Sequence, residues 1–458
     1  MNPISLQQAA QMAQGLLIKG KPADTVDSVH FDTRQLRERS LFVAIRGEAR
    51  DGHEFIGVAA KAGAKAAIVS EPASVPQDLP EDFGIILVND TLRAFQKLSA
   101  AYRDAFSIPM IAVTGSNGKT TTKDMIGHIL GHKRSLYKTY KNLNNHLGVP
   151  YSLTQLNDSH EAAVLELGMN HAGEIDLLAS LVKPQISVIT FIGPSHMEYF
   201  GSLEKIALAK AELLPHTDPE GFVLLNGDSP YLRKIASLYT GEVRYYSTEG
   251  PADIWADNLV SDEQGMHFTV HFADGLNDRL FLPLFGRHNV LNVLPAIAIA
   301  RHFGMTMDEI REALSTLRLS AMRFEVQHAD SGAIVVNDAY NASPASMEAA
   351  ISTFAEIYPD RKKVAVLGDM FELGNDSAAM HADVGRTANR FQGKLSLLVA
   401  IGEQSRHLYD AYEGEKRYFP TKEEALATLR PLWTNQYALL FKASKGMSLW
   451  TLIEALEK

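Results

Sequence analysis

Apolar residues along this chain come in short runs, and amphipathic stretches separate them. Between residues 81 and 319 the runs Met110–Thr114, Ala162–Leu165, Ile186–Ile192 and Phe222–Asn226 read as strands, each followed by a helical pattern. That alternation predicts a mostly parallel sheet with helices on both faces. From Ser320 to Lys458 the pattern recurs in Ala333–Val336, Val364–Leu367, Leu395–Ile401 and Ala438–Phe441, and it predicts a second, smaller Rossmann-like unit. Before Pro80 a helical opening gives way to Leu41–Ile45 and Ala66–Val69, and the Pro-rich stretch Glu71–Pro80 reads as a linker. The expectation is an α/β protein of three domains, at residues 1–80, 81–319 and 320–458.

Composition narrows the function classes. The formal net charge is -10 and there is no lysine or arginine block. This speaks against nucleic acid or an anionic membrane as partner, since both reward basic surfaces. There are no cysteines, so disulfides, thiolate metal sites and cysteine nucleophiles are excluded. Met1 to Gly20 has no basic segment ahead of its apolar residues and does not read as a signal peptide. No apolar stretch is long enough to span a bilayer; the best, Leu291 to Ala300, is interrupted by Asn292 and Pro295.

The strongest chemical signal is Met110-Ile-Ala-Val-Thr-Gly115-Ser116-Asn117-Gly118-Lys119-Thr120-Thr121-Thr. An apolar strand enters a glycine-containing turn and leaves it as a helix. Glycines let backbone N–H groups approach phosphate oxygens, and the helix N-terminus adds partial positive charge. Lys119 can reach the β/γ phosphates and the Thr120 hydroxyl can bind Mg²⁺. The loop is two residues shorter than the standard Walker pattern. A phosphate loop by itself fits a kinase, a motor, a GTPase or a ligase.

Glu166 ends the strand Ala162–Leu165, where ligands of open α/β sheets bind. It is either a Mg²⁺ ligand or a solvated strand-end acid. His196 follows the next strand, as a metal ligand or a polar loop residue. Lys210, in Ile206-Ala-Leu-Ala-Lys-Ala-Glu212, has the pattern of an exposed helical lysine. Asn289 and Asn292 share a helix face and suit either adenine recognition or helix capping.

In order and spacing, Gly115-Ser-Asn-Gly-Lys-Thr-Thr-Thr, Asn144-Asn145-x-x-Gly148-x-Pro150, Glu166-Leu-Gly-Met-Asn-His, Gly193-Pro-Ser-His196, Lys210-Ala-Glu and His288-Asn-x-x-Asn292 resemble the Mur ligases. The likeness covers nearly the whole chain. Asp32-Thr33-Arg34 and Asp51-Gly-His53 look like that family's uridine-nucleotide domain. Asn337-Asp338-Ala-Tyr340-Asn341-Ala-Ser-Pro344 and Val366-Leu-Gly-Asp369-Met-x-Glu-Leu-Gly374 look like the members that add D-alanyl-D-alanine. Ser40 and Ser343 depart from the usual Gly and Asn.

The resemblance implies a cytoplasmic, monomeric bacterial enzyme of cell-wall precursor synthesis. Its partners would be ATP, UDP-N-acetylmuramoyl-tripeptide and D-alanyl-D-alanine. ATP would activate the tripeptide carboxylate as an acyl phosphate. Thr120 and Glu166 would hold one Mg²⁺, and His196 with a carbamate on Lys210 a second. Asn289 and Asn292 would hold adenine, Asp338 ribose, and Arg323 the γ-phosphate, unless Arg323 forms an interdomain salt bridge. Asp32, Thr33, Arg34 and His53 would face the UDP-sugar. Asn144, Asn145, Tyr340, Asn341, Lys442 and Ser444 would line the substrate path. Folylpolyglutamate synthase shares the short loop but lacks the Asp-Thr-Arg and Asp-Gly-His block. The ligase that adds a diamino acid to the dipeptide would carry an Asp-Asn-Pro-Arg motif, which is absent here. A catalytically dead nucleotide-binding module would be expected to lose one of Lys119, Glu166, His196 or Lys210, and all four are present.

Overall fold

The computed structural model describes residues 1–47, 50–195, 197–318 and 321–458. His196 and the boundary drawn between Leu319 and Ser320 lie outside the described residues. Each of the three blocks is built on its own sheet. The first has five strands in the order Leu16–Lys19, Gly84–Leu87, Ala64–Val69, Ser40–Val43, Ser28–His30, parallel except for the first. Gly84–Leu87 lies past Pro80 and sits inside this sheet, so the sheet does not stop at the Pro-rich stretch.

The central sheet has nine strands. Leu136–Lys138, Ala162–Glu166, Met110–Thr114, Ile186–Ile189, Phe222–Asn226, Glu242–Ser247 and Ile254–Ser261 run parallel. Met266–Phe272 and Asn277–Leu282 then close the edge as antiparallel strands. The four parallel strands Ala162–Glu166, Met110–Thr114, Ile186–Ile189 and Phe222–Asn226 are buried on both faces, hence their continuous apolar runs. Met266–Phe272, next to the edge, instead alternates buried and half-buried residues, as a strand with one solvated face should.

The third sheet has the order Glu325–His328, Ile334–Asn337, Tyr437–Lys442, Lys362–Gly368, Leu397–Ile401, Lys416–Phe419. Only its first strand is antiparallel. Among the described residues, no helix is long and apolar enough to cross a membrane.

The helix Thr91–Arg103 fixes the first unit to the second. Asp90 caps it, accepting from the Arg93 N–H at 2.9 Å. Its buried Phe95 and Leu98 join one apolar cluster containing Leu41 and Ile86 of the first sheet and Leu153 and Leu178 of the central unit. Each such side chain contributes about 1.5–3 kcal/mol on burial. At the other end the buried Arg103 guanidinium donates to the carbonyls of Val182 (2.7 Å) and Phe106 (2.9 Å). The packing leaves a groove between the units, with Asp32, Arg37 and His30 on one wall and Tyr140, Lys141 and Tyr151 on the other.

Candidate active site

The strand Met110–Thr114 is wholly buried and delivers the phosphate loop at its carboxyl end. Gly118 has φ +82°, and a Cβ there would fall 2.5 Å from Asn292 Oδ1. At Gly115 a Cβ would fall 2.0 Å from Thr190 Oγ1. Both positions therefore need glycine. Ser116 N–H donates to Phe191 O at 2.7 Å, which staples the loop to the neighbouring strand end. Thr120 and Thr121 open the helix Lys119–Gly131, with Thr120 in the cavity wall. Lys119 folds back over the loop and donates to Gly115 O at 2.7 Å. Burial pushes its pKa down; Arg323 adds to this and Glu166 opposes it.

Glu166 is not solvated: it is 2 % exposed. Oε1 accepts from Asn144 Nδ2 at 2.9 Å, while the buried Oε2 has no hydrogen-bond partner. A buried carboxylate oxygen that accepts no hydrogen bond, beside a phosphate loop, suits a hard cation. Lys123, fully buried, stands 3.9 Å from that oxygen and donates to Thr139 O at 3.0 Å.

Lys210 corrects the reading from pattern. It is not an exposed helical lysine but 1 % exposed, and among the described residues its side chain has neither a hydrogen bond nor an ion pair. Glu212 is no partner, because its carboxylate accepts from Gly173 N–H and Asp176 N–H. Burial, and then the charge of Lys119, push the Lys210 pKa well below the ordinary lysine range.

The third unit supplies the opposite wall. Arg323 forms no salt bridge among the described residues; its guanidinium lies 4.3 Å from the Tyr340 ring centroid. Its neighbours Met322 (φ +61°) and Phe324 (φ +52°) are both left-handed, a strained pair that surrounding contacts must hold. Phe324 N–H donates to Asp338 Oδ1 at 3.1 Å and Tyr340 N–H to Met322 O at 3.3 Å. Lys442 is buried and spent on Asp338 Oδ2 (2.7 Å) and Asn341 O (3.0 Å). Asp338 thus organises both the Arg323 segment and the last strand.

These walls enclose a cavity of about 470 Å³ lined by residues of the second and third units. Asn117 Nδ2 bridges the two, donating to Ser343 Oγ at 3.0 Å. Asn289 and Asn292 line the cavity, and neither caps the helix Arg287–His302, whose N-cap is Gly286. Asn289 Nδ2 donates to Phe285 O at 2.8 Å.

Some expected residues are spent elsewhere. Asn145 Oδ1 accepts from Gly148 N–H at 2.9 Å and so opens the helix Gly148–Leu153. Ser444 is buried, its Oγ accepting from Phe371 N–H at 2.9 Å. His53 does not face the groove. Its Nδ1 lies 2.6 Å from Asp51 Oδ1 and its Nε2 accepts from Ser70 N–H at 2.9 Å, so both ring nitrogens serve the fold. Thr33 and Arg34 form a short turn capped by Asp32, whose carboxyl pKa is lowered by the Arg34 guanidinium. Of that motif only Asp32 reaches the groove.

His288, Ser346 and Thr190 also line the cavity; His288 stands in the His288-Asn-x-x-Asn292 motif without a role of its own, and Ser346 and Thr190 carry no chemical signal in the sequence. Burial holds the His288 pKa down at about 4, so it is neutral at pH 7. It lies directly before Asn289, and that adjacency was the one available clue.

The arrangement is that of a nucleotide-dependent α/β enzyme: a short phosphate loop at a strand end, a buried acid beside it and a second α/β unit closing over both. Three family descriptions match, in chain order: "Mur ligase family, catalytic domain" over residues 25–103, "Mur ligase middle domain" over 113–300, and "Mur ligase, glutamate ligase domain" over 322–445. The chain is 38% identical to the UDP-N-acetylmuramoyl-tripeptide–D-alanyl-D-alanine ligase of Bacillus subtilis, over 99% of this chain and 98% of that one. To the Escherichia coli enzyme of the same name it is 35% identical, over 100% and 99%. A crystal structure of MurF from Acinetobacter baumannii superposes with a TM-score of 0.91 at 32% identity, covering 100% of this chain and 99% of that one. MurF ligase from Thermotoga maritima in complex with ADP gives 0.84 at 27% identity, over 94% and 97%. The chain belongs to the Mur ligase family.

Proposed function

We propose that this chain is an ATP-dependent ligase that joins D-alanyl-D-alanine to UDP-N-acetylmuramoyl-tripeptide through an acyl phosphate, as a monomer in the bacterial cytoplasm. The cavity between the second and third units carries this reading, because Lys119, Glu166, Arg323 and Asp338 meet there from segments far apart in sequence. The proposed domains are residues 1–80 for the UDP-sugar, 81–319 for ATP and 320–458 for closure, with the first sheet extending to Leu87.

The chemical problem is to bring a carboxylate onto a phosphate, two anions. Lys119 and Arg323 neutralise that charge from opposite walls. The tripeptide carboxylate attacks the γ-phosphorus and ADP leaves. The dipeptide amine then attacks the acyl carbonyl, gives up a proton, and inorganic phosphate departs. Thr120 and Glu166 would hold one Mg²⁺; the buried Glu166 Oε2, which accepts no hydrogen bond, supports this. His196 and a carbamate on Lys210 would hold a second. Bound Mg²⁺ supplies Lewis-acid neutralisation of the phosphates. Gly115 to Thr121 cradle the phosphates, Asn289 and Asn292 flank adenine, and Asp338, held by Lys442, faces ribose. Asp32 fronts the uridine groove with Thr33 and Arg34 behind it, while Asn144, Tyr340 and Asn341 border the reacting centre.

Phosphate release should require both UDP-muramoyl tripeptide and D-alanyl-D-alanine. Faster turnover with UDP-muramoyl dipeptide and a free diamino acid would move the chain to another branch of the family.

The Asn117–Ser343 bond and the Arg323 wall describe a closed arrangement. Hinge opening between the second and third units would admit substrate. The radius of gyration from small-angle scattering should fall when ATP analogue and tripeptide are added, and an unchanged value would rule the hinge out.

A further inference from the structure

Lys445 stands on the turn after the last strand, Tyr437–Lys442, beside Ser444. Its side chain is exposed and, among the described residues, pairs with no carboxylate. That is notable in a chain with 54 acidic and 44 basic residues. Its ammonium lies 5.4 Å from the Tyr340 ring centroid. Arg323 rests on the same ring at 4.3 Å. The next residue, Gly446, packs against Phe371 so closely that a Cβ would fall 2.7 Å from Cε2. Phe371 is 45 % exposed. Its position is fixed, because its N–H donates to Ser444 Oγ at 2.9 Å and Ser444 N–H donates to Asp369 O at 2.9 Å. A cation without a carboxylate partner, sharing the Tyr340 ring with Arg323, thus stands on a braced turn whose next residue packs against an exposed aromatic ring.

We propose that Lys445 is a specificity-determining residue that binds the terminal carboxylate of the D-alanyl-D-alanine acceptor, with Phe371 against its methyl groups. This rests on the reaction proposed above. The acceptor is a small zwitterion with two methyl groups, and it must enter amine first. An extended dipeptide spans at most about 7 Å. The shared Tyr340 ring keeps the Lys445 and Arg323 cations less than about 10 Å apart. A carboxylate held by Lys445 therefore leaves the amine at the far end of the dipeptide, within reach of an acyl phosphate neutralised by Arg323. Binding in reverse would set the amine beside Lys445, a cation against a cation.

The test compares D-alanyl-D-alanine with D-alanyl-D-alaninamide, which differs only in its terminal charge. The parent should prefer the free acid in kcat/KM. Lys445→Gln should raise KM for the free acid on the order of 10- to 100-fold, the effect of losing a charge-assisted hydrogen bond. The same variant should bring the acid-to-amide ratio close to one, with KM for ATP and for UDP-muramoyl tripeptide unmoved. Lys445→Arg should restore the preference. A parent indifferent to the terminal charge would overturn the inference and leave the ligase reading standing. So would a glutamine variant that weakens both acceptors equally, or one that shifts KM for ATP instead. A parent that releases no phosphate with D-alanyl-D-alanine would overturn the ligase reading and this inference together.

Discussion

Lys119→Ala is expected to reduce phosphate release by on the order of 10²–10³-fold or more, the loss that follows removal of one preorganised donor to a transition-state oxyanion. The side chain reaches only the loop it belongs to, through Gly115 O at 2.7 Å and Ser116 O at 3.4 Å. Its contribution to stability has a definite sign. Burial lowers the folded-state pKa beneath the unfolded value of 10.5. The unfolded chain therefore holds the proton more tightly. The ammonium opposes folding fully below the folded pKa, and the effect fades as pH rises towards the unfolded one. Truncation removes this opposition, so the melting temperature at pH 7 should be no lower than the parent's. A variant with a normal rate would remove Lys119 from the chemistry. A variant that loses activity only because it melts at assay temperature would make the lysine structural.

Lys210→Ala should also abolish turnover, and short-chain carboxylic acids should restore part of it. An ammonium would be misplaced in this position, because Lys119 already puts a positive charge nearby. With no acid paired to it among the described residues, burial and the Lys119 charge shift Lys210 towards its neutral form. A neutral amine is what CO₂ requires. Carbamate formation replaces the cation with an anion that offers oxygens to a hard metal ion. The alanine variant leaves room where a diffusible acid can stand in for the missing anion. Three measurements bear on this: the rate of the variant with and without acetate or propionate, the rate of the parent depleted of bicarbonate, and a carbamate signal in ¹³C spectra of protein equilibrated with labelled CO₂. Full activity in the unrescued variant would end the proposal. So would a parent that keeps its rate without bicarbonate and shows no carbamate signal.

Lys210 also marks where sequence reading fails. Its local pattern is that of an exposed helical lysine, and burial comes from elements distant in sequence packing over the helix. His53 fails in the opposite direction. A motif placed it at the substrate, yet Asp51 and Ser70 take both of its nitrogens. Met266-His-Phe-Thr-Val-His-Phe272 carried a period-two alternation, which was legible, but attention to continuous apolar runs passes over it.

By itself the sequence determined what is local. The phosphate loop was readable because strand, glycines, lysine and threonines adjoin one another, and their backbone requirements are short-range. Glu166 was readable because a strand end fixes where a side chain emerges. The parallel sheets followed from apolar runs alternating with helical patterns. Tertiary structure alone decided which polar atoms stay unpaired. Whether Glu166 Oε2 goes without a hydrogen bond, whether Lys442 spends its charge on Asp338, and whether Lys445 stays open beside Arg323 all depend on neighbours tens to hundreds of residues away. An ionisable group is defined by the charges and solvent around it, and packing sets those only after the chain has folded.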